Sequence, residues 1–206
     1  MTKTKIFSLL MIPVVIVLGY LLIAGIKNKI DTDKAIKASE ARVREQLKVI
    51  RTAEKEFLAK YGYYTSNWDS LINFVKNDSI FIVEKKEIIT PWSERDRKDP
   101  KYFQRIDSVR IEYDTLETYH TQSYLFPEDK FPGFNADDLN KIPGKEGKTF
   151  EIFSDKIDKR GVKVDVIEVV DRFPLDPTRS DENPSPTRWH LRFGSRTDVT
   201  TSGNWE

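Results

Sequence analysis

No cysteine occurs anywhere in the 206 residues. That excludes disulfides, thiolate catalysis, cysteine-based zinc or iron–sulfur sites and lipoprotein acylation. Charge of either sign is not in excess, with 34 Lys and Arg against 33 Asp and Glu. Apart from Lys3 and Lys5, all of these charges lie beyond residue 26, so the rest of the chain carries a net charge near zero. A nucleic-acid binder would show a basic stripe or a high isoelectric point, and a polybasic membrane clamp is missing for the same reason. Only two histidines are present, His120 and His190. They are separated by 70 residues with no metal-binding helix signature, so packed or solvent-facing strand histidines are the expectation. The sequence contains no P-loop, no G-x-S-x-G and no G-x-G-x-x-G, and we expect neither an enzyme nor a cofactor site.

What the sequence does hold is one long apolar run. In residues 6–26 only Ser8, Pro13, Gly19 and Gly25 interrupt the hydrophobic side chains. At 1.5 Å per residue this run makes a helix of about 31 Å, matching a hydrocarbon core of about 30 Å. A cleaved signal peptide would have a shorter apolar region ending in small residues. An uncleaved anchor after a five-residue tail is therefore the expectation. Positive charges flank the run on both sides, at Lys3 and Lys5 and again at Lys27, Lys29, Lys34 and Lys37, so charge alone does not orient it.

Residues 31–61 lack Pro and Gly and are rich in helix formers. Ile36, Val43, Ile50 and Phe57 repeat at seven, with Leu47, Ala53, Leu58 and Tyr61 on the same face. The apolar face is thin before Val43, which predicts a polar stalk over 27–42 and a buried amphipathic helix after it, continuous with the membrane span. A coiled-coil seam at the seven-residue positions is the competing reading, weakened by Glu40 and Glu54. Gly62 ends the helix, Ser66 or Asn67 caps a second one over 68–76, and the pattern then turns to period two.

Short strands are expected at 80–83 and 87–90, then a charged exposed segment at 91–105. A further strand covers 108–114, and the aromatic run 119–126 is placed beside it. The clearest hairpin joins 149–157 to 162–170 through Asp158-Lys159-Arg160-Gly161, with Val162, Val164 and Val166 alternating against a wet face. Residues 174–186 hold four prolines and read as a loop, and 188–194 as a last strand with Trp189, Leu191 and Phe193 inward. The fold class is thus α+β, a long N-terminal helix packed on an antiparallel β-sheet, with 43–206 as the soluble domain.

Few residues stand out as sites. Pro143-Gly144-Lys145-Glu146-Gly147-Lys148 lacks the Gly-Lys-Ser/Thr ending of a phosphate loop and reads as a surface turn. Asp137-Asp138 and the set Asp176, Asp181, Glu182 and Asn183 have the oxygen ligands that Ca²⁺ takes, but not the EF-hand spacing, so solvated loop charge is expected and no metal. The stripe Val43, Leu47, Ile50 and Phe57 is the candidate interaction surface, set against packing under the protein's own sheet. Trp205 is either offered to a partner or tucked back into the fold.

The order of a membrane helix, an amphipathic helix and a sheet resembles type IV pilins and the pseudopilins of type II secretion. The likeness rests on Ile50-Arg51-Thr52-Ala53 through Phe57, on Tyr61-Gly62-Tyr63-Tyr64 and on Leu71. It does not extend to the prepilin leader, since residues 1–6 contain no Gly and the span contains no Glu. Leu47, Ile50 and Ala53, residues 61–75 and 161–164, and Gly203-Asn204-Trp205-Glu206 look more like a family of single-pass envelope proteins of Bacteroidota-type bacteria. That resemblance implies an anchor in the bacterial inner membrane and a pilin-like domain in the periplasm, without an established activity. Other envelope proteins are therefore the expected partners, with self-assembly through the helix as the alternative, and the near-neutral charge leaves no nucleic acid among them.

Overall fold

The computed structural model describes residues 3–90, 108–179 and 189–206. Helix α1 runs unbroken over Lys3–Tyr61, about 89 Å at the α-helical rise, and Pro13 lies within it. It is the one described helix long and apolar enough to cross a membrane. Between Pro13 and Lys37 no side chain is buried, whereas from Ser39 onward the same helix is covered on one face. Cover thus begins inside the segment read as stalk: Arg179 donates to Glu40 Oε1 at 2.7 Å, where that carboxylate also holds Arg44.

Gly62 closes α1 in the left-handed conformation, φ +79°, with its N–H on the Leu58 carbonyl at 2.8 Å. Asn67 then caps α2 (Trp68–Asn77), its side-chain oxygen accepting the N–H groups of Asp69 and Ser70. Leu71, Phe74 and Val75 turn inward and meet the buried face of α1.

Strand β1 (Ser79–Thr90) is one strand where two short ones are expected. The charged centre does not break it, because Lys85 pairs with Glu87 at 2.8 Å, and Lys86 with Glu84 and Asp114 at 3.3 and 3.4 Å. It pairs antiparallel with β2 (Ser108–His120) as a two-stranded ribbon. The 119–126 run is not a strand beside β2. It leaves the ladder at His120 and coils into α3 (Thr121–Leu125), whose first N–H bonds the Asp78 carbonyl at 3.0 Å. The expected segment 91–105 lies outside the described residues.

A three-stranded antiparallel sheet completes the domain, with β4 (Val162–Val170) between β3 (Glu151–Lys159) and β5 (Arg192–Gly194). Arg160 and Gly161 both adopt positive φ, 56° and 83°, as a two-residue hairpin turn with the strand's own twist requires. Ile152, Val169 and Phe193 align across the sheet on the face toward α1. Gly194 ends β5 at φ +78°; a Cβ there would stand 2.0 Å from the Ile167 carbonyl oxygen.

Two expectations fail here. The alternation named the wrong face: Val162, Val164 and Val166 lie on the outer side of β4. The side expected to be wet, that of Lys163 and Asp165, continues into the core as Ile167 and Val169. Val166, Glu168 and Val170 are buried on the outer side under an ionic roof. Arg192 and Arg196 reach Glu168 at 2.9 and 2.8 Å, Arg172 and Arg196 reach Glu151 at 2.8 and 2.5 Å, and Arg196 also lies over the Phe153 ring. Trp189 does not point inward but is 60% exposed, because the ladder begins only at Arg192 and leaves it in the approach to the strand.

Candidate functional site

The helical stripe is consumed by the domain. Val43, Leu47, Ile50 and Phe57 are all buried in one core with Leu71, Phe74, Phe150, Ile167 and Phe193, so this face offers nothing to a partner. Trp205 is tucked back as well. It packs against the core and over Gly203, where even a methyl group would collide with its ring. Arg51 latches the last residue, bonding Glu206 Oε1 at 2.7 Å and the Thr201 carbonyl at 3.2 Å. The Pro143–Lys148 stretch folds as a turn closed by Ile142 N–H on the Lys148 carbonyl, with Lys145 paired to the buried Asp171 at 3.0 Å. Asp137 is engaged by Lys76 and Asp138 by Lys141. Among the described residues no cluster of three metal-capable side chains occurs. Asp181, Glu182 and Asn183 lie outside them. His190 is buried with Nδ1 3.0 Å from the Arg179 carbonyl, and His120 is exposed at the end of β2.

Among the described residues, the β1–β2 ribbon stands largely clear of the rest of the domain. Twelve paired residues extend about 40 Å. The register puts two chemically different faces on it. One carries Phe81, Val83, Lys85 and Glu87 from β1 opposite Thr118, Thr115, Tyr113 and Ile111 from β2. The other carries Glu84, Lys86 and Ile88 opposite Asp114, Glu112 and Arg110. Charged pairs occupy much of the second face, including Arg110 with Glu112 at 3.2 Å, with Ile88 exposed among them. On the first, Phe81 is 54% and Tyr113 67% exposed, and Val83 and Ile111 are also open to solvent. Leu116 has no partner across the ladder at the register shift between Ile82 and Val83, and is exposed too. Exposed apolar groups gathered on one face mark an interaction surface. Among the described residues, moreover, neither strand of the ribbon is paired along its outer edge.

The ribbon's root is fixed. Lys60 donates to the Ser79 carbonyl at 2.8 Å and to Asp78, and its ammonium sits 5.6 Å from the Phe81 ring centre. The Tyr61 hydroxyl donates to Asp78 Oδ2 at 2.5 Å. Partial burial pushes the Asp78 carboxyl upward, but Lys60, Tyr61 and the Ser79 N–H outweigh it and hold it below the ordinary range. Tyr61 is correspondingly raised by its bond to Asp78.

Sequence reasoning missed this surface because it read β1 as two pieces and gave 119–126 to the sheet. The signal present was the alternation Val109, Ile111, Tyr113, which predicted a strand but not that its apolar side stays bare.

One buried group stands apart. Glu54, only 1% exposed on α1, accepts the Thr65 N–H at 3.2 Å through Oε2, while Oε1 has no partner among the described residues. Desolvation raises its pKa from 4.5 to about 8, against the opposing Thr65 bond. Tyr64 beside it is raised by burial, then by the charges of Glu54 and Asp165.

Together these features define an α+β protein with a continuous helix that is apolar at one end and core-forming at the other. No family model matches the chain, and neither a curated protein nor a solved structure is similar to it.

Proposed function

We propose that this chain is a membrane-anchored, non-enzymatic assembly component of a bacterial cell-envelope complex, and that the ribbon's apolar face is where it holds another envelope protein. In this reading residues 6–26 cross the inner membrane, and the pilin-like domain stands in the periplasm at a height set by α1. The observation that carries the reading is the bare face of Phe81, Val83, Ile111 and Tyr113, gathered on one side of a ribbon whose root is fixed to the domain. The partner's chemistry follows from it. A protein strand can pair along a free edge of the ribbon while its side chains cover the apolar face, so backbone hydrogen bonds and burial act together. Bilayer lipid is a poorer occupant. The root at Lys60 lies about 51 Å along α1 from Ile26, and a ribbon of about 40 Å falls short of a membrane crossed by an upright helix.

The test is a photo-crosslinking amino acid placed at Tyr113 or, as a control on the charged face, at Arg110 of the full-length protein in native membranes. An adduct to a second envelope protein formed from position 113 and not from 110 supports the reading. An adduct of twice the chain's own mass replaces it with the self-assembling, pseudopilin-like alternative. Equal adducts from both faces, or none, overturn it.

A further inference from the structure

A second surface, remote in sequence from the ribbon, has the make-up of a ligand site. Between α1 and the loop 130–134 runs a groove of about 570 Å³, open to solvent along its length. Its apolar walls are Val49 from the helix and Phe131, Phe134 and Pro143 from the facing loops. The two rings are held from behind: Phe126, buried in the core, meets Phe131 edge-to-face at 5.3 Å and Phe134 at a tilt at 4.4 Å. Gln46 fastens the loop to the helix by donating to the Asp138 and Leu139 carbonyls at 3.3 and 3.0 Å. The groove is thus built on supported side chains and needs no rearrangement to receive a ligand.

Its charge is what assigns the ligand. Arg42 and Lys130 line the groove, both exposed, and neither has a carboxylate partner among the described residues. Arg42 Nε reaches only the Ala38 carbonyl, at 3.4 Å. Glu45, the acidic residue of the lining, is instead held by Lys48 at 2.8 Å. Other cations beside apolar surface on this domain are paired, Arg179 with Glu40 and Arg196 with Glu168 and Glu151, although Lys148 over the Phe173 ring is not among them. Two unpaired cations over a proline- and phenylalanine-lined groove complement an anion that also carries apolar groups. An open groove rather than an enclosed cavity suits an extended chain.

We propose that this groove binds a short acidic peptide segment of a partner protein, with an apolar side chain against Phe131 and Phe134 and carboxylates on Arg42 and Lys130. The site is independent of the ribbon. The test uses the full-length protein in zwitterionic lipid nanodiscs, empty discs as blank, and a labelled peptide alternating glutamate with phenylalanine. Saturable binding is expected, weakening with salt, and lowered at least tenfold in the Arg42→Gln/Lys130→Gln double variant. Both side chains are exposed, so the thermal midpoint should not move. Ala41→Trp, which fills the groove from an exposed helix position, should abolish binding. The Tyr113→Ser ribbon variant should bind the peptide like the wild type, which separates this site from the ribbon reading. Equal binding of a lysine–phenylalanine counterpart, unchanged binding in the double variant or in Ala41→Trp, or no saturation by millimolar peptide would overturn the proposal.

Discussion

The two sheets of this protein are built from similar residues and end in opposite situations. Strand β4 and its neighbours are covered on one face by α1 and on the other by the Glu168–Arg192–Arg196 roof. The β1–β2 ribbon has as many paired residues but touches the domain only near its root. Alternating valine and isoleucine therefore make a core in one place and an open face in the other. What decides between them is whether a third element is within reach. An isolated two-stranded hairpin is marginal in water, so the ribbon is the less stable of the two sheets.

That contrast can be broken most forcefully from the covered side. Phe193 sits fully buried at the centre of the core, and Phe193→Ala should cost roughly 3–5 kcal/mol through lost burial and the cavity left behind. Urea denaturation of the full-length protein would read this. A loss under about 1 kcal/mol would mean the three-stranded sheet is not the stability centre.

Next in size is a pH effect confined to the same side. In the fold Glu54 titrates near 8, above its ordinary 4.5, so the folded state holds a proton that the unfolded chain gives up between those values. The stability this brings is fully present at pH 4.5 and is lost as pH rises through 8. The total is on the order of a few kcal/mol. Thermal midpoints at pH 5.5 and 8.5 should fall in that order for the wild type and stay level for Glu54→Gln, which is the more stable of the two at pH 8.5.

The smallest effect is expected on the ribbon itself. Phe81→Ser with Val83→Ser removes exposed surface on the same face, and the thermal midpoint should change by no more than about 0.5 kcal/mol equivalent, while crosslinks from a probe at position 113 to a partner disappear. Hydrogen exchange sharpens the same comparison. Amides of β1 and β2 should exchange well before those of Ile167 and Val169 in β4. Equal protection would show that the ribbon is covered after all.

Much of the architecture was legible in the residues. Gly62 and Asn67 mark the end of one helix and the start of the next because a left-handed turn and an orphaned pair of N–H groups have few chemical solutions. The second hairpin was legible too, but its turn was read as Asp158–Gly161, whereas the ladder runs on to Lys159 and only Arg160 and Gly161 turn. Trp189 was misread because alternation counts residues, and the ladder is three residues long rather than seven. Neither candidate surface was legible: the ribbon needs the register of two strands, and the groove joins Arg42 to Lys130 across 88 positions of chain.

By itself, then, the sequence determined what is local or compositional: an apolar span of membrane length, a continuous helix, the caps and turns, the absence of thiol chemistry and of excess charge. These follow from backbone sterics, short-range hydrogen bonding and solvent transfer, each acting over a few residues. Only the tertiary structure decided which apolar faces are spent. Val43, Leu47, Ile50 and Phe57 are buried because β5 and α2 come to meet them, and Phe81 and Tyr113 are bare because no described element does. Burial is a property of pairs of surfaces, and no single segment carries the record of its partner.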